Sequence, residues 1–180
     1  DTVAPTITNA RINATSSVPL NRIVKVNATV TDDVAISNVT VQVDPPSSSP
    51  YNITPQQTGS EFYNDTVVLS QIGHWNFTFF ANDTSANNAT QVMALEVGGS
   101  TGINVVDQVA PTITNARANI TNNASFNQVI KINATVTDDV AISNVTIQID
   151  TPNDAPYNIT AQQTGSEFYN DTSVLYQAGQ

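Results

Sequence analysis

The residues whose types and spacing could do chemistry in this chain are asparagines followed two positions later by threonine or serine. Fourteen of the 22 asparagines stand in this pattern without an intervening proline, and 13 of the 14 use threonine. Chance placement predicts only about four or five such patterns, which are the acceptors for N-linked glycans. The candidate acceptors are Asn13, Asn27, Asn38, Asn52, Asn64, Asn76, Asn82, Asn88, Asn119, Asn123, Asn133, Asn144, Asn158 and Asn170.

Groups that catalyse proton or group transfer are scarce. The chain has one histidine and no cysteine, which excludes a disulfide framework, a thiolate nucleophile and a thiolate metal site. We find no Ser/His/Asp set, no Gly-rich phosphate loop and no basic aromatic patch. We therefore expect that the protein is not an enzyme and needs no cofactor for catalysis.

Net charge and hydropathy exclude two further classes of function. The formal net charge is −10 and the sequence pI is near 4.1. A surface of this sign repels phosphate backbones and anionic headgroups, so we expect no nucleic-acid partner. No apolar run approaches the length that spans a bilayer, and no basic segment precedes an apolar one at the start. We expect no direct membrane insertion and no signal peptide within these residues.

A repeat of 106 residues organises the chain. Residues 3–73 align without a gap to residues 109–179, with 50 identities in 71 pairs. A period near one hundred suits one β-sandwich per repeat and is too long for a solenoid unit. The sequence predicts a complete domain over 1–106 and a second domain over 107–180 that lacks its last two strands. Residues 98–107 are predicted to be a short linker.

The elements that must position the asparagines are β-strands. Apolar and polar residues alternate over 23–30, 39–43 and 75–82, the period of a half-buried strand. Further strands are expected near 6–13, 51–54, 66–69 and 91–97, and no stretch shows helical spacing. About seven strands per repeat predict an all-β fold of tandem immunoglobulin-like β-sandwiches, the second one incomplete.

The candidate acceptors within strands fall on the outward face. Asn27 and Asn38, for example, neighbour Val26 and Val39, and neighbouring side chains in a strand point to opposite faces. A merely polar, low-charge surface would explain the threonines but not the asparagines, which are depleted in strands. The pattern favours N-glycosylation, and with it an extracellular or cell-surface location; a cysteine-free glycoprotein of this kind points to an archaeal envelope.

Three segments resemble tandem bacterial and archaeal immunoglobulin-like repeats of cell-surface, S-layer or extracellular filament proteins. They are Asp-Thr-Val-Ala-Pro-Thr-Ile at 1–7, Val-Thr-Asp-Asp-Val-Ala-Ile-Ser at 30–37 and Asn-Phe-Thr-Phe-Phe-Ala-Asn-Asp-Thr-Ser-Ala-Asn-Asn at 76–88. The resemblance covers the first repeat and what is present of the second. It implies a sandwich fold and a role in a surface layer, a filament, an adhesin or the stalk of a secreted enzyme.

Aspartates form the second group of candidate ligands. In an immunoglobulin-like topology, the turns of Asp32-Asp33 and Asp138-Asp139 share a pole with the start of each repeat. Carboxylates that converge there could hold Ca²⁺, which takes about six to eight oxygen ligands. The alternative is a hydrated turn, since Asp is a favoured turn residue. The candidate calcium ligands are Asp1, Asp32, Asp33, Asp83, Asp107, Asp138 and Asp139.

The incomplete second repeat predicts an open apolar face. It keeps inward residues such as Ile132 and Ile147 but has no counterpart of Trp75, Phe77 and Phe79. Following residues of a longer array could fill the face, or a segment from a neighbouring subunit could do so and link copies head to tail. The sequence thus favours a structural protein whose partners are copies of itself. The alternative is an adhesin or a carbohydrate-binding stalk. Phe80 and the Phe62-Tyr63 pair are candidates for a contact surface, and they fit either function.

Overall fold

The computed structural model describes residues 1–95, 101–120 and 123–175, and for 174 and 175 the backbone alone. Every regular element in these ranges is a β-strand, which confirms the all-β class. The chain divides into two compact units, Asp1–Gln108 and Val109–Gln180. Among the described residues, no helix is long and apolar enough to cross a membrane.

Unit one is an immunoglobulin-like β-sandwich of two sheets. Its strands are β1 (Thr6–Ile12), β2 (Val18–Pro19), β3 (Arg22–Thr31), β4 (Ile36–Asp44), β5 (Tyr51–Ile53), β6 (Gln56–Thr58), β7 (Glu61–Leu69), β8 (Gly73–Asp83), β9 (Asn88–Val92), β10 (Ala94–Leu95) and β11 (Ile103–Val106). The first sheet has the order β10-β1-β3-β7-β6. The second has the order β2-β11-β8-β4-β5, with β9 also paired to β8. The central strands β1-β3-β7 and β11-β8-β4 form the two facing layers typical of this fold.

The alternating apolar residues of these strands meet in one core. Val24, Val26 and Ala28 of β3 are at most 1% exposed, and Phe77 and Phe79 of β8 are fully buried. Full burial of a valine or phenylalanine side chain contributes about 1.5–3 kcal/mol. Trp75 is the core tryptophan that the sequence predicts, at 2% exposure, and its indole Nε1 donates to the Gln71 carbonyl oxygen at 2.9 Å. The indole N–H of Trp75 therefore has a hydrogen-bond acceptor inside the fold.

The prediction of a linker over residues 98–107 is wrong for its second half. Strand β11 pairs antiparallel with β8 and parallel with β2, and Ile103 and Val105 are each 1% exposed. Gly, Ser and Thr at 98–102 suggest a linker, but the following Ile-Asn-Val-Val has the period-2 pattern of a strand. The side chains of Ile103 and Val105 fill the core at that end of the sandwich. Residues 98–100 lie outside the described residues.

The predicted strand over 91–97 is interrupted. β9 ends at Val92, Met93 is fully buried, and β10 then pairs parallel with β1 in the opposite sheet. The segment crosses from one layer to the other, because Met93 inserts between them and the following residues extend the first sheet. Val97, the last residue of the predicted strand, lies outside the described residues.

Unit two repeats the first part of this architecture. Its strands are β12 (Thr112–Ala118), β13 (Gln128–Thr137), β14 (Thr146–Ile149), β15 (Tyr157–Thr160), β16 (Gln162–Thr164) and β17 (Glu167–Leu175). One sheet has the order β12-β13-β17-β16, and within the described part of the unit β14 pairs with β15 alone. The register of the β12–β13 pairing shifts between Thr114 and Arg117, as the β1–β3 register does between Thr8 and Arg11. The second sandwich is thus an incomplete copy of the first.

Candidate functional site

The structure places most of the candidate glycan acceptors where solvent can reach them. Asn13, Asn38, Asn52, Asn88, Asn119, Asn123, Asn144 and Asn158 are exposed, Asn27, Asn64, Asn76, Asn82 and Asn133 are half-buried, and Asn170 is buried. The half-buried acceptors in strands alternate with core residues, as Asn27 does with Val26 and Ala28. These side chains project away from the core because successive residues of a strand face opposite sides.

Two acceptors donate from the side-chain amide to the threonine hydroxyl of their own sequence pattern. Asn38 Nδ2 donates to Thr40 Oγ1 at 3.1 Å, and Asn144 Nδ2 donates to Thr146 Oγ1 at 3.3 Å. For Asn38 in β4, the contact arises because residues two apart in a strand share a face, whereas Asn144 lies just before β14. Asparagine and threonine are therefore presented side by side on one surface, with the amide nitrogen that would carry a glycan beside the hydroxyl.

Asn170 departs from the expected exposure. It is 8% exposed, and its Oδ1 accepts from Thr172 N at 3.2 Å and from Ser173 Oγ at 2.7 Å. Its counterpart Asn64 accepts from Thr66 N at 3.0 Å and is half-buried. A glycan must project into water, so the burial of Asn170 runs against the sequence prediction for this residue.

The outward face of β3 and β7 carries the same group of side chains as that of β13 and β17. In unit one, Lys25 Nζ lies 3.1 Å from Glu61 Oε1 and 4.6 Å from the ring centroid of Tyr63, which pairs with Asn27 across the two strands. In unit two, the corresponding Lys131–Glu167 distance is 3.9 Å. An exposed ion pair adds little stability. The main effect of these side chains is therefore to give each outward sheet face a polar surface next to a candidate glycan acceptor.

Three of the candidate calcium ligands of unit one come together. Single carboxylate oxygens of Asp1, Asp32 and Asp83 lie within 4.8 Å of one another. The adjacent Asp33 is exposed and is not part of this cluster. Asp32 Oδ1 accepts from the backbone of Val34 at 3.1 Å and Ala35 at 2.9 Å. Its Oδ2 is buried and has no hydrogen-bond partner among the described residues.

Asp83 is held rigidly by its own turn. The residue is 1% exposed, and its Oδ1 accepts from the backbone nitrogens of Ser85 and Asn87, both at 2.8 Å. Asn87 Nδ2 donates to Oδ2 at 2.7 Å and to the Val3 carbonyl oxygen at 3.3 Å. Burial raises the pKa of Asp83, but the hydrogen bonds from Asn87 and Ser85 outweigh it and lower the pKa below the usual value. This favours the ionised carboxylate in the folded chain. The stabilisation is present above the unfolded pKa and is lost as the pH falls through the folded pKa.

Asn87 is the member of this site that residue-type reasoning missed. It ties the Asp83 turn to the first residues of the chain, which is why Asp1 lies within reach. The signal was the spacing of Asp83 and Asn87, four residues apart in a turn after a strand. An asparagine there can donate from its side chain while its backbone closes the turn.

The aspartate turn of unit two has the same local geometry. Asp138 Oδ1 accepts from Val140 N at 3.0 Å and Ala141 N at 3.1 Å. Its Oδ2 is again buried without a hydrogen-bond partner among the described residues, whereas Asp139 is exposed. Asp107 belongs to unit one, at its exposed end. Both aspartate turns therefore contain a buried carboxylate oxygen without a hydrogen-bond partner among the described residues.

The aromatic residues proposed as a contact surface divide between core and surface. Phe62 is 6% exposed and belongs to the core, so its expected place on a contact surface is wrong. Phe80 is 37% exposed on the outer face of β8. His74 is exposed at the start of β8, between Asn104 Oδ1 at 2.9 Å and Asn76 Oδ1 at 3.1 Å. Amide groups occupy both ring nitrogens, as suits an edge residue.

Comparison with known proteins gives a fold-level likeness. No family model and no curated protein matches the chain. The chain is similar to the titin domains Z1Z2 solved in complex with telethonin, at 12% identity over 99% of this chain and 84% of that one, with a TM-score of 0.45. It is also similar to a chimeric titin Z1Z2 functionalised with an exogenous peptide from decorin, at 12% identity over 92% and 80%, with a TM-score of 0.38. Likenesses at this level carry no argument about function.

Proposed function

We propose that this chain belongs to a structural, N-glycosylated extracellular repeat protein that forms a filament, sheath or surface layer. The observation that carries the proposal is the placement of the acceptor asparagines. Thirteen of the fourteen are exposed or half-buried, on both sheets of unit one and along unit two. Glycans on these faces would hydrate a surface that has few charges, only 11% of the residues. The proposal assigns the protein no catalytic role and places it outside the cell, at the envelope of an archaeon.

The proposed partners are copies of the protein itself. A repeat array needs contacts that propagate, and a heterologous head-to-tail contact does so without closing into a dimer. Unit two supplies a suitable surface, because its second layer contains only β14 and β15 among the described residues. Strand complementation between subunits would cover this layer and link one copy to the next.

Glycopeptide mass spectrometry of native protein tests the proposal. We expect glycans at most of the outward acceptors: Asn27, Asn38, Asn52, Asn76, Asn133, Asn144 and Asn158. Asn170 serves as the internal control, since its burial in the fold predicts lower occupancy than at the exposed Asn158. Unmodified peptides at all of the outward positions would contradict the proposal.

We further propose that the Asp1–Asp32–Asp83 cluster binds calcium. The support is the buried Asp32 Oδ2, which has no hydrogen-bond partner in the described ranges and lies near the ionised Asp83 carboxylate. A buried carboxylate oxygen without a donor is costly, and a cation would offset that cost. Calcium at Asp138 and Asp139 is proposed on the same ground, because Asp138 Oδ2 is also buried without a hydrogen-bond partner among the described residues.

Thermal unfolding of the full chain with calcium and with chelator checks this site. A ligand that binds only the folded state at a hundredfold excess over Kd stabilises it by about 2.7 kcal/mol. We expect calcium to raise the Tm of unit one, read from the fluorescence of Trp75, the single tryptophan. Asp32→Asn should remove the response and Asp33→Asn should keep it. A Tm that is the same in calcium and chelator would favour plain turns.

A second candidate function is an adhesin or carbohydrate-binding stalk, and the exposed ring of Phe80 favours it. An aromatic ring on a polar sheet face can stack against a sugar or a partner surface. A glycan array with the unglycosylated chain and its Phe80→Ser variant separates the two roles. Ring-dependent binding would favour the stalk, and long-range order of the native protein in electron micrographs would favour the structural array.

A further inference from the structure

The basic residues of this chain are few, and most of them occupy equivalent places in the two repeats. The whole sequence has five lysines and arginines against 15 aspartates and glutamates. Arg11 and Lys25 of the first repeat return as Arg117 and Lys131 in the second. Four of the five cations therefore lie on β1 and β3 of unit one and on β12 and β13 of unit two.

Strand pairing places Asn27 in the middle of the first of these groups. Arg11 of β1 lies directly opposite Asn27 of β3, and Tyr63 of β7 lies opposite it on the other side. Directly paired residues on one face of an antiparallel sheet have Cβ atoms about 4.5–5.5 Å apart. Lys25 shares the face, because it lies two residues before Asn27. A glycan on Asn27 therefore leaves the sheet beside the Arg11 side chain.

A polar hollow of about 390 Å³ lies at this place on the sheet surface. Asn9, Arg11, Asn13 and Asn27 line it, so the acceptor and the arginine share one space. The hollow lies at the register shift between β1 and β3, where Asn9 has a φ of +52°. An irregularity of this kind re-aims the side chains next to it. The volume is within the range of about 300–1,000 Å³ that is usual for small-molecule sites.

Arg11 has its charge free for an anion from outside the polypeptide. The ion pairs of the described residues join Lys25 to Glu61 and Lys131 to Glu167, and neither involves an arginine. Arg11 is exposed, and its Nη2 donates to Asn9 Oδ1 at 3.5 Å. A guanidinium group binds oxyanions through two parallel N–H donors, which is stronger than pairing through one.

Unit two repeats the row of three strands. Arg117 of β12 lies opposite Asn133 of β13, which has Tyr169 of β17 on its other side. Asn133 Nδ2 also donates to Glu167 Oε1 at 3.0 Å. That bond is compatible with a glycan, because the linkage replaces one of the two amide hydrogens and leaves the other as a donor. Each repeat thus presents one acceptor beside one exposed arginine.

The second sheet of unit one has different surroundings for its acceptors. Its strands β2, β4, β5, β8, β9 and β11 contain no lysine or arginine. They carry the acceptors Asn38, Asn52 and Asn76. The basic side chains of unit one are therefore confined to the sheet that carries Asn27.

We propose that the glycans on Asn27 and Asn133 carry an acidic group close to their attachment points, and that this group pairs with Arg11 and Arg117. The group is a carboxylate or sulfate of the first sugars, because each arginine starts beside its acceptor and does not reach distant sugars. A single exposed ion pair is weak, but covalent attachment gives the anion a high effective concentration at the arginine. The inference rests on the proposed glycosylation and specifies the sugar chemistry at two of its sites.

Arginine labelling of the native glycoprotein tests the pairing. Phenylglyoxal modifies free guanidinium groups, and peptide mass spectrometry gives the rate at each arginine. We expect Arg11 and Arg117 to react about threefold to fivefold more slowly than after removal of the glycans, as for an exposed ion pair. High salt should reduce this protection, because it screens exposed charges. Protection that is unchanged in high salt would be steric and would contradict the pairing.

Arg22 is the matched control for the labelling. It is exposed at the start of β3, on the same sheet as Arg11, and the second repeat has Gln128 in its place. Its labelling rate should change by less than about twofold when the glycans are removed. Equal protection of Arg22 and Arg11 would mean that the glycans shield the whole surface and would contradict the inference.

Acceptor variants made in the cells that produce the protein separate the two sites. Asn27→Gln should raise the labelling rate of Arg11 and leave Arg117 protected, and Asn133→Gln should do the reverse. Asn52→Gln, on the second sheet, should leave both rates within about twofold. Protection of Arg11 that survives in the Asn27→Gln protein would mean that the anion comes from another source, such as a free acidic polysaccharide, and would overturn the proposal.

Glycopeptide composition gives an independent readout. We expect a uronic acid or a sulfated sugar in the glycans on Asn27 and Asn133, and neutral glycans at both positions would contradict the inference. The outcome is separable from that of the proposed function. Native protein without glycans at any acceptor contradicts the proposed function itself. Protein that is glycosylated at Asn27 and Asn133 but leaves Arg11 and Arg117 unprotected contradicts this inference alone.

Discussion

Replacing Phe77 by alanine is expected to lower the free energy of unfolding of unit one by about 3–5 kcal/mol. Its ring is fully buried between the two sheets, on the strand that pairs with β4. The loss combines the transfer free energy of the ring with the cavity it leaves. Because a small domain has a total stability of about 5–15 kcal/mol, this change removes a large part of it. Chemical denaturation followed by Trp75 fluorescence measures the effect on unit one.

Phe80→Ala is the matched control for that measurement. It removes the same ring from the same strand, but on the outer face, where the Phe80 side chain is 37% exposed. We expect a change within about 1 kcal/mol, as for surface substitutions away from caps and networks. Similar losses for Phe77→Ala and Phe80→Ala would contradict the assignment of the inner and outer faces of β8.

Gly102→Ala is the second substitution with a large expected effect. Gly102 has a φ of +69°, and a Cβ there would meet the Trp75 carbonyl oxygen, with His74 Nε2 at 2.6 Å. The left-handed backbone costs an alanine about 1–2 kcal/mol. The overlap adds about 1–3 kcal/mol, because the backbone of β8 must move. We expect the free energy of unfolding of unit one to fall by the sum of the two.

Gly59→Ala separates the two causes. Gly59 has a similar φ of +61°, but no heavy atom lies within 4 Å of a Cβ built there. It should therefore show the backbone cost alone. Equal losses at the two glycines, measured in the same denaturation experiment, would mean that β11 does not pack against β8 as described.

The strands that line the core could be predicted from the sequence because period-2 alternation reflects burial on one face. β3, β4 and β8 lie where the alternation of valines and aromatics places them. β11 was missed because the glycines and serine before it resemble a linker, and its four residues are too short for a strong pattern. The crossing at Met93 could not be predicted, since it depends on which layer has room for the side chain.

In the candidate sites, too, some features could be predicted from the sequence and others could not. The alternation of Asn27 with Val26 and Ala28 could be read from the chain, because a strand fixes the direction of each side chain. The burial of Asn170 depends on a local irregularity in β17 and on the hydroxyl of Ser173, which replaces a valine of the first repeat. The convergence of Asp1, Asp32 and Asp83 followed from topology, whereas the exclusion of Asp33 depends on the turn itself.

The two parallel ladders of unit one determine how it would respond to tension along the chain. β1, the first strand, pairs parallel with β10, and β2 pairs parallel with the last strand, β11. A pull on the two ends of the unit acts on the start of β1 and on the far end of β11, and it reaches β10 only through β11. Because β2 and β11 run parallel, the pairing at Val18–Val105 and Pro19–Val106 is sheared as a group, rather than opened one residue after another. Forced unfolding depends on the barrier to breaking such a set at once, so each complete repeat would extend only after its terminal ladders fail as a group.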